Sequence, residues 1–545
     1  MSEMLTDNTH NHEISPEVNP ERGKIPEDIS ENNSVLSEEE ERTSGCSIDI
    51  PIKVEIVPTI KVEKEKLFRI AGISPQRPDI APGGEREFLE PLGLQYVLTQ
   101  AANEGYEVDL FTLLGQSEDE LVGKVIATKP EVVAISAMTP QMGIGLSMAG
   151  KIKEKSPSTK IIFGGYHPSV IHTSTPALIT DSPVDYWVRG EGEKTFSELL
   201  RVIEQGKDPS DVSGLVYRHQ GETQVTPARK RTQNLDDFGR VWRPDFIRNL
   251  RNRGLTYPAP SEQNGFASID FSRGCLGDCD FCASPEVLGQ AVSFRSSESV
   301  ADEVRFLHDQ MGVDTFFFTD LDFIQRGKNQ EKTLELCRKL QQLEEPVYWE
   351  CLGRIPSISE TGNYQLLQEM YKAGCRKIAW GLESIDPEIL ESMKKGRKDD
   401  ETMRVLSVAE DAGILNTAFY IIGWHNFFEN IGDNKAKILR DAQSLPHYPI
   451  HRLRITIGTP LPGSQFYKTC KERGLLTDQE LAHYDTEHLV YKHPSLEPKD
   501  ISALRSEVYR QFYGSQAYKE RVSRMVSRHP EYKKTFDEFL SELRF

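Results

Sequence analysis

The stretch Cys275-Leu-Gly-Asp-Cys279-Asp-Phe-Cys282 follows a short apolar run, FASIDF over 266–271, that is typical of a β-strand. Its three cysteines share one loop at the spacing C-x3-C-x2-C. Three thiolates at this spacing can ligate three irons of a 4Fe–4S cluster and leave the fourth iron open to a small molecule. The alternative, a structural zinc site, usually takes four ligands in paired spacings. The remaining cysteines lie far away in sequence, which favours the cluster: Cys46, Cys337, Cys351, Cys375 and Cys470.

The cysteine loop opens a series of alternating strand-like and helix-like segments. The strand-like runs are FASIDF (266–271), DTFFFTDLDF (314–323), PVYWECLGR (346–354), KIAWGLES (377–384), TAFYIIG (417–423) and HRLRITIG (451–458). Six such units predict a partial TIM-like (β/α)6 barrel over 265–475, with its chemistry at the carboxyl ends of the strands. The polar segment that follows, 476–545, is predicted to be a C-terminal helical region.

An earlier series of alternating strands and helices predicts a Rossmann-like parallel sheet over 66–205, so the fold class is α/β. Ligands of such sheets bind at the carboxyl ends of the strands. Small and polar candidate binding residues occur at those ends: Ser136, Thr139, Gly164, Gly165, Gly190 and Glu191. Residues 206–264 are predicted to be a linker with a small β segment, and the basic triplet at 229–231 is interpreted as a solvated loop.

Charge and composition limit the possible function classes. With 84 acidic and 65 basic residues the formal charge is −19, which argues against a nucleic-acid partner because phosphate binding needs clustered Lys and Arg. There is no apolar run of about 20 residues to span a membrane, and the N-terminus has no basic-then-apolar signal pattern. Eight cysteines in 545 residues are too few for a disulfide scaffold, so a cytoplasmic enzyme with reduced thiols is expected.

The first residues differ in composition from the rest of the chain. Residues 1–50 contain thirteen acidic and three basic residues and no Phe, Trp or Tyr. Low hydrophobicity combined with high net charge cannot offset the entropy cost of ordering a chain. Residues 1–60 are therefore predicted to be a disordered acidic tail.

The motif CLGDCDFC at the end of the first barrel strand resembles the signature of the radical S-adenosylmethionine superfamily. The segments WGLES (380–384) and MKKG (393–396) resemble the family's fourth-strand pattern, and TPLPGS (459–464) resembles its late-strand turn. The resemblance implies that the three cysteines hold a 4Fe–4S cluster whose open iron binds the methionyl group of S-adenosylmethionine. Reductive cleavage then releases a 5′-deoxyadenosyl radical, with electrons from a reductant such as flavodoxin or ferredoxin.

The resemblance also implies contacts with S-adenosylmethionine near the barrel strand ends. These are Phe281 with the adenine, Glu383 and Ser384 with the ribose or methionyl groups, Thr319, Asp320 and Asp322 with the methionyl amine, and Arg354 with the methionyl carboxylate. Carboxylates near strand ends can equally be structural caps. Relatives often have a Gly-x-Pro-Gly-Glu-Thr turn after the fifth strand, whereas this chain has GWHNFF over 423–428, which implies a different pocket. His425 in this turn is a candidate proton carrier or a structural residue.

Residues 66–205 resemble the cobalamin-binding domain that precedes many barrels of this superfamily. The matching pieces are EPLGLQYV (90–97), VVAISAMTP (132–140), FGGYHPS (163–169) and VRGEGEKTF (188–196). The resemblance implies that the glycines approach a flat macrocycle and that Ser136 or Thr139 bonds its nucleotide tail. The Asp-x-His-x-x-Gly motif of other cobalamin proteins is absent, and the corresponding region is taken to be DLFTLLG (109–115), as in relatives without a histidine ligand. The alternative is a Rossmann-like sheet that binds another ligand or none.

Together the two modules imply a cobalamin-dependent radical S-adenosylmethionine methyltransferase over about 66–515. The methyl group would go to an unactivated carbon or a phosphorus of a small molecule, lipid or peptide. A radical route is needed because an unactivated C–H bond has no acidic proton for a general base. Phrases such as FASIDFSRGC (266–275) also resemble the hopanoid-type methylases. Two alternatives stay open: a non-methylating radical enzyme such as an oxidative cyclase, and a non-catalytic metal-binding scaffold. Cys351 and Cys375 are candidate hydrogen donors or buried structural thiols.

Overall fold

The computed structural model describes residues 68–76, 79–80, 86–87, 90–113, 115–241, 266–395 and 399–543. The predicted acidic tail (1–60) and residues 242–264 of the predicted linker lie outside the described residues. Within the described part, no helix is both long enough and apolar enough to cross a membrane.

The N-terminal half forms a seven-stranded sheet with the order β4-β1-β5-β6-β7-β8-β9. Its strands and the small hairpin β2–β3 are β1 (Arg69–Ser74), β2 (Asp79–Ile80), β3 (Arg86–Glu87), β4 (Glu107–Thr112), β5 (Val132–Ser136), β6 (Lys160–Gly164), β7 (Tyr186–Val188), β8 (Leu215–His219) and β9 (Glu222–Val225). The helices are α1 (Leu92–Asn103), α2 (Glu118–Ala127), α3 (Met142–Lys155), α4 (Tyr166–Ser174), α5 (Ala177–Thr180) and α6 (Gly192–Glu204).

The central strands of this sheet are buried on both faces, which explains why VVAIS and KIIFG read as continuous apolar runs. On one face Ile135 and Phe163 belong to a core with α2 and α3. On the other face Ala134 and Ile162 belong to a core with α1 and α6. The parallel Rossmann-like sheet predicted from the sequence is confirmed.

The first sheet extends beyond the predicted boundary at residue 205. Strands β8 and β9 form an antiparallel hairpin, and β8 pairs with β7, with Trp187 opposite Val216. The small β segment predicted in the linker is therefore the edge of this sheet.

The C-terminal half contains a six-stranded parallel sheet with the order β10-β13-β14-β15-β16-β19, as expected of a partial barrel. Its strands and two short flanking pairs are β10 (Phe266–Ile269), β11 (Ser272–Arg273), β12 (Ser293–Phe294), β13 (Thr315–Phe318), β14 (Tyr348–Gly353), β15 (Cys375–Glu383), β16 (Leu415–Ile422), β17 (His425–Asn426), β18 (Ile431–Gly432) and β19 (Arg452–Ile457). The helices around it are α7 (Ser284–Leu288), α8 (Ser297–Met311), α9 (Gln330–Leu340), α10 (Ile355–Ser359), α11 (Gln365–Lys372), α12 (Pro387–Ser392), α13 (Asp399–Asp411), α14 (Lys435–Ser444) and α15 (Gln465–Glu472).

Two of the predicted barrel strands end two or more residues earlier in the structure. The second ends at Phe318 rather than at residue 323, because Asp320 and Asp322 turn inward to accept hydrogen bonds from neighbouring segments. The first ends at Ile269, and the chain then enters β11, which pairs with β12. This antiparallel pair ties together the two ends of the cysteine loop.

The C-terminal region is helical, as predicted, with α16 (Pro498–Gly514), α17 (Gln516–Arg528) and α18 (Lys533–Glu542). On α16, the hydroxyl groups of Tyr509 and Tyr513 accept hydrogen bonds from the backbone N–H groups of Ile455 and Leu453, each at 2.9 Å. These N–H groups belong to the edge strand β19, so the helices cover an edge that would otherwise be open to unwanted pairing.

Candidate functional site

A cavity of about 410 Å³ lies between the carboxyl ends of the two parallel sheets. Its walls include Ser136, Gly164 and Gly190 from the first sheet and Asp270 and Thr319 from the barrel. This is where both topologies place their ligands, and its volume is in the usual range for binding sites.

Two glycines shape the floor of this cavity. A Cβ atom added at Gly165 would lie 2.7 Å from the carbonyl oxygen of Ala137, and its φ of +103° favours glycine. At Gly164 an added Cβ would meet no atom within 4 Å, because this position faces open cavity space. A ligand in the cavity can therefore approach the backbone closely at these glycines, as a flat macrocycle would require.

The carboxylate of Glu191 supplies a second feature that fits cobalamin. One of its oxygens accepts a hydrogen bond from the Thr232 backbone N–H at 2.8 Å. The other, Oε1, is buried in the cavity wall without a hydrogen bond, with the guanidinium of Arg273 3.9 Å away. Buried acceptors are normally satisfied, and the amide N–H groups around a corrin ring would supply the missing donor.

Most of the predicted cobalamin-side residues line the cavity, namely Ser136, Gly164, Gly165, Gly190 and Glu191. Thr139 does not, and its hydroxyl lies 3.2 Å from Nδ1 of His167 instead. The assignment of 109–115 to the axial-ligand region is wrong, since none of its described residues lines the cavity. That stretch belongs to the edge strand β4 and the residues after it, whereas the neighbouring strand β1 leads into the cavity, where Ser74 and Gln76 line the wall.

In the cysteine loop, Cys275, Cys279 and Cys282 are free thiols and are half-buried. The backbone N–H groups of Gly277 and Ser284 point at the sulfurs of Cys275 and Cys282, at 3.3 and 3.4 Å. Such donors stabilise thiolates, the form that binds iron.

The side chain of Arg354 contacts the cysteine loop. Its guanidinium nitrogens are 3.7 Å from Sγ of Cys275 and 3.8 Å from Sγ of Cys279. Burial raises the pKa of the Cys279 thiol, and the charges of Lys395 and Arg354 oppose that rise. A Cβ at Gly277 would lie 2.1 Å from Nη1 of Arg354, so glycine makes room for the cation. The predicted pairing of Arg354 with a methionyl carboxylate stays a prediction.

Asp320 and Asp322 have structural partners in this fold. Asp320 accepts hydrogen bonds from the Phe271 backbone N–H at 3.0 Å and from the Ser272 hydroxyl at 2.5 Å. Asp322 accepts one from the Ser357 hydroxyl at 2.5 Å. Burial raises the pKa of Asp320 to about 7. These bonds match the alternative that both carboxylates are caps, while Thr319 is the member of this group that lines the cavity.

Glu383 ends β15 in a left-handed conformation, with φ of +57°. Its Oε1 accepts a hydrogen bond from the Lys395 ammonium at 2.6 Å, and both side chains are buried. A Cβ at Gly381 would lie 2.6 Å from each of these two atoms, which explains the glycine in WGLES. By contrast, the Ser384 hydroxyl accepts the Asp386 backbone N–H at 3.0 Å and so fixes the next turn.

The predicted site residues do not include Lys395, although it lies in the MKKG segment (393–396) that resembles the family pattern. Its ammonium lies 5.6 Å from the centre of the Phe281 ring, and that ring contacts Trp424 edge to face. Phe281, Glu383, Lys395 and Trp424 are therefore contiguous beside the cysteine loop. Only the folded chain brings them together.

Glu383 is predicted to contact S-adenosylmethionine, and Lys395 holds its buried carboxylate in place. We therefore expect Lys395→Met, which removes this charged donor, to weaken S-adenosylmethionine binding to the cluster-loaded protein by about tenfold or more. Equilibrium dialysis with labelled S-adenosylmethionine measures this. The matched control is Lys533→Met, since the Lys533 side chain is 67% exposed and pairs with Asp537, itself 62% exposed, on α18, where such pairs contribute little. Equal affinities for the two variants would contradict a role for Lys395 at this site.

The GWHNFF turn forms the short hairpin β17–β18. Asp433, which follows it, accepts a hydrogen bond from the Trp424 backbone N–H at 3.0 Å. His425 is buried, burial lowers its pKa, and its ring packs on His493 and Phe427. This packing agrees with the structural interpretation of His425.

Asp433 is expected to make the stability of the protein depend on pH. Burial raises the pKa of Asp433 from 3.8 to about 7, so the folded state holds a proton that the unfolded state releases. This carboxyl therefore lowers stability as pH rises between those values, by up to about 1.4 kcal/mol per pH unit. Asp433→Asn keeps an acceptor oxygen for Trp424 but cannot ionise. We therefore expect its melting temperature, relative to that of the wild type, to be higher near pH 8 than near pH 5. A melting difference independent of pH would contradict the shift.

Cys351 and Cys375 lie in the barrel wall, away from the cavity. Both are buried in the core between the barrel sheet and its helices, and burial raises the pKa of Cys351 well above its usual value. Neither thiol is placed to donate hydrogen to a substrate in the cavity, so the structural alternative holds.

Family models match one segment in each half of the chain. Residues 86–200 match the B12 binding domain, and residues 269–433 match the radical SAM superfamily. Together these matches contain the cavity glycines and the three cysteines of the loop.

Three curated relatives cover most of the chain. They are an uncharacterized methyltransferase of Pyrococcus horikoshii (27% identity, 78% of this chain and 87% of the relative), an anaerobic magnesium-protoporphyrin IX monomethyl ester cyclase of Rubrivivax gelatinosus (24%, 74% and 69%) and a hopanoid C-3 methylase of Methylococcus capsulatus (25%, 74% and 72%).

Two solved structures share the fold. One is the radical S-adenosylmethionine methyltransferase TsrM from Kitasatospora setae with cobalamin and a [4Fe-4S] cluster bound, with a TM-score of 0.64, 17% identity and coverage of 82% of this chain and 91% of that one. The other is the cobalamin-dependent S-adenosylmethionine radical enzyme OxsB, with a TM-score of 0.62, 13% identity and coverage of 88% and 78%. The similarity extends over both halves of the molecule.

Proposed function

The chain belongs to the radical S-adenosylmethionine enzymes that carry a cobalamin-binding domain, and we propose that it transfers a methyl group to an unactivated carbon or a phosphorus. Its cofactors are a 4Fe–4S cluster, S-adenosylmethionine and cobalamin. We propose a small-molecule, lipid or peptide substrate; the solved relative TsrM has been captured with tryptophan.

One observation carries the proposal, namely that a single cavity has walls from both cofactor domains. Gly164 and Gly190 on the cobalamin side face the same space as Thr319, Val287 and Leu288 on the barrel side. The last two belong to α7, which begins two residues after Cys282. A substrate held there can meet a radical and a methyl donor without leaving the cavity, which is the advantage that positioning gives a catalyst.

Cobalamin, when bound, supplies methyl-transfer chemistry, and the cluster supplies an electron to S-adenosylmethionine. The residues of this chain do the rest. Arg354 and the N–H groups of Gly277 and Ser284 stabilise the cysteine thiolates. The Glu383–Lys395 pair offers a fixed polar edge for S-adenosylmethionine, and the largely apolar cavity walls exclude water from reactive species.

We also propose a low-potential reductant, flavodoxin or ferredoxin, as the electron source. A cytoplasmic setting is proposed because free thiols persist in that compartment. The seven free cysteines among the described residues are in keeping with it.

The test is anaerobic turnover with both cofactors, a chemical reductant and methyl-labelled S-adenosylmethionine, in the presence of candidate lipids, natural products and peptides. Methylation yields S-adenosylhomocysteine from one S-adenosylmethionine and 5′-deoxyadenosine with methionine from another, together with a product that contains the label. 5′-Deoxyadenosine with a product that lacks two hydrogens and the label would support a cyclase, the activity named for one relative, and would overturn the proposal. The absence of 5′-deoxyadenosine with every candidate would indicate the non-catalytic scaffold.

A further inference from the structure

Arg273 lies two residues before Cys275 and connects the two domains of the molecule. Its Nη1 donates to Oε1 of Glu193 at 2.6 Å, and its Nε donates to Oδ2 of Asp270 at 2.8 Å. Glu193 lies in the first turn of α6 in the cobalamin-binding domain, whereas Asp270 follows β10 in the barrel. One guanidinium therefore joins a carboxylate from each domain.

The plane of this guanidinium is also fixed by aromatic rings. Its central carbon lies 4.8 Å from the ring centre of Tyr96 and 5.2 Å from that of Phe238. The Tyr96 hydroxyl in turn donates to the Asp270 carboxylate. Tyr96 belongs to α1 of the cobalamin-binding domain, so its hydrogen bond to Asp270 is a second contact between the two domains.

The backbone of Arg273 is held as firmly as its side chain. Its carbonyl oxygen accepts a hydrogen bond from Nη2 of Arg231 at 2.9 Å, and Arg231 also donates to the carbonyl of Ala291 at the far end of the cysteine loop. Arg273 pairs with Ser293 across β11–β12. The triplet at 229–231 is thus not a solvated loop, since two of its three side chains hold neighbouring segments.

The charges in this group are poorly exposed and adjoin the cavity. The side chains of Arg273, Asp270 and Glu193 are 13%, 6% and 3% exposed, and all three residues line the cavity. A buried charge left without its partner is strongly unfavourable. A shift of the cavity wall at α6 must therefore either carry Arg273 with it or break the pair, and Arg273 leads directly into the cysteine loop.

We propose that Arg273 couples the two cofactor sites, so that cobalamin bound in the cavity and the cluster bound by the cysteine loop stabilise each other through it. Coupling between two sites is reciprocal, so a cluster that tightens cobalamin binding must itself be held more tightly when cobalamin is bound. Arg273 is a positioning residue in this scheme. The proposal concerns binding alone and does not depend on which group the enzyme transfers.

The experiment measures the dissociation constant of hydroxocobalamin for the full chain, with and without the reconstituted cluster, by anaerobic absorbance titration. For the wild type we expect the cluster to tighten cobalamin binding by about tenfold. The ratio of the dissociation constant without the cluster to that with the cluster is the measure of coupling. Arg273→Met should bring this ratio close to one, and Arg273→Lys, which keeps the charge, should restore part of it. A merely structural role would weaken both constants and leave their ratio unchanged.

The matched control is Arg229→Met. Arg229 also pairs with a glutamate of α6, Glu198, but does so without contacting the cysteine loop, so its ratio should equal that of the wild type. If Arg273→Met does not fold, Glu193→Gln removes the same pair from the other side and should lower the ratio. A wild-type ratio of one, or variants of both Arg273 and Glu193 that keep the wild-type ratio, would overturn the proposal.

Discussion

Replacing any one of Cys275, Cys279 and Cys282 with Ala should abolish the brown colour and visible absorbance of the reconstituted 4Fe–4S cluster. Each cysteine is expected to hold a different iron, and the loop offers no fourth thiol to substitute. The two remaining thiolates cannot balance the charge of the cluster or fix its position. Without the cluster, reductive cleavage of S-adenosylmethionine should fall to background.

The matched control is Cys470→Ala. Cys470 is also a free thiol, but it is fully buried in α15 and belongs to the barrel core. This variant should bind the wild-type amount of iron, measured by iron and sulfide analysis together with the visible spectrum. Full iron content in all three loop variants would show that the cluster is held elsewhere.

Gly164→Leu should reduce cobalamin affinity by ~10- to 100-fold while the protein stays folded, because the leucine side chain would occupy space that the cofactor needs. Gly164 is not among the residues with positive φ, and an added Cβ would meet no atom within 4 Å. The leucine side chain would therefore extend into the cavity without straining the backbone. Titration with hydroxocobalamin and a thermal melt together separate loss of binding from loss of folding.

Gly123→Leu is the control for this substitution. Gly123 is exposed on α2, and an added Cβ would likewise meet no atom within 4 Å. It does not line the cavity, so cobalamin affinity should match the wild type. Wild-type affinity in Gly164→Leu would mean that cobalamin binds outside this cavity.

Local patterns in the sequence were sufficient to predict the modules. The C-x3-C-x2-C spacing lies within one loop, and the continuous apolar runs of β5 and β6 identify strands buried on both faces. Both features depend only on residues close together in the chain. For the same reason the glycines at 164–165 could be predicted as a ligand-facing strand end.

Sheet order decided which strand ends adjoin the cavity, and sequence could not provide it. The motif comparison predicts 109–115 near the cobalamin, but β4 lies at the edge of the sheet and β1 lies next to it, between β4 and β5. Strand order results from packing among distant segments, which leaves no local pattern in the residues themselves.

The pairing of charges was likewise visible only after folding. Lys395 and Arg273 are twelve residues from Glu383 and eighty from Glu193, and no periodicity links either pair. The sequence alone determined which chemistry is present, because cluster ligands and strand patterns are local. The tertiary structure alone decided which carboxylates act as caps, which face the cavity and which cation joins the two domains, because burial and partner choice arise from contacts distant in sequence.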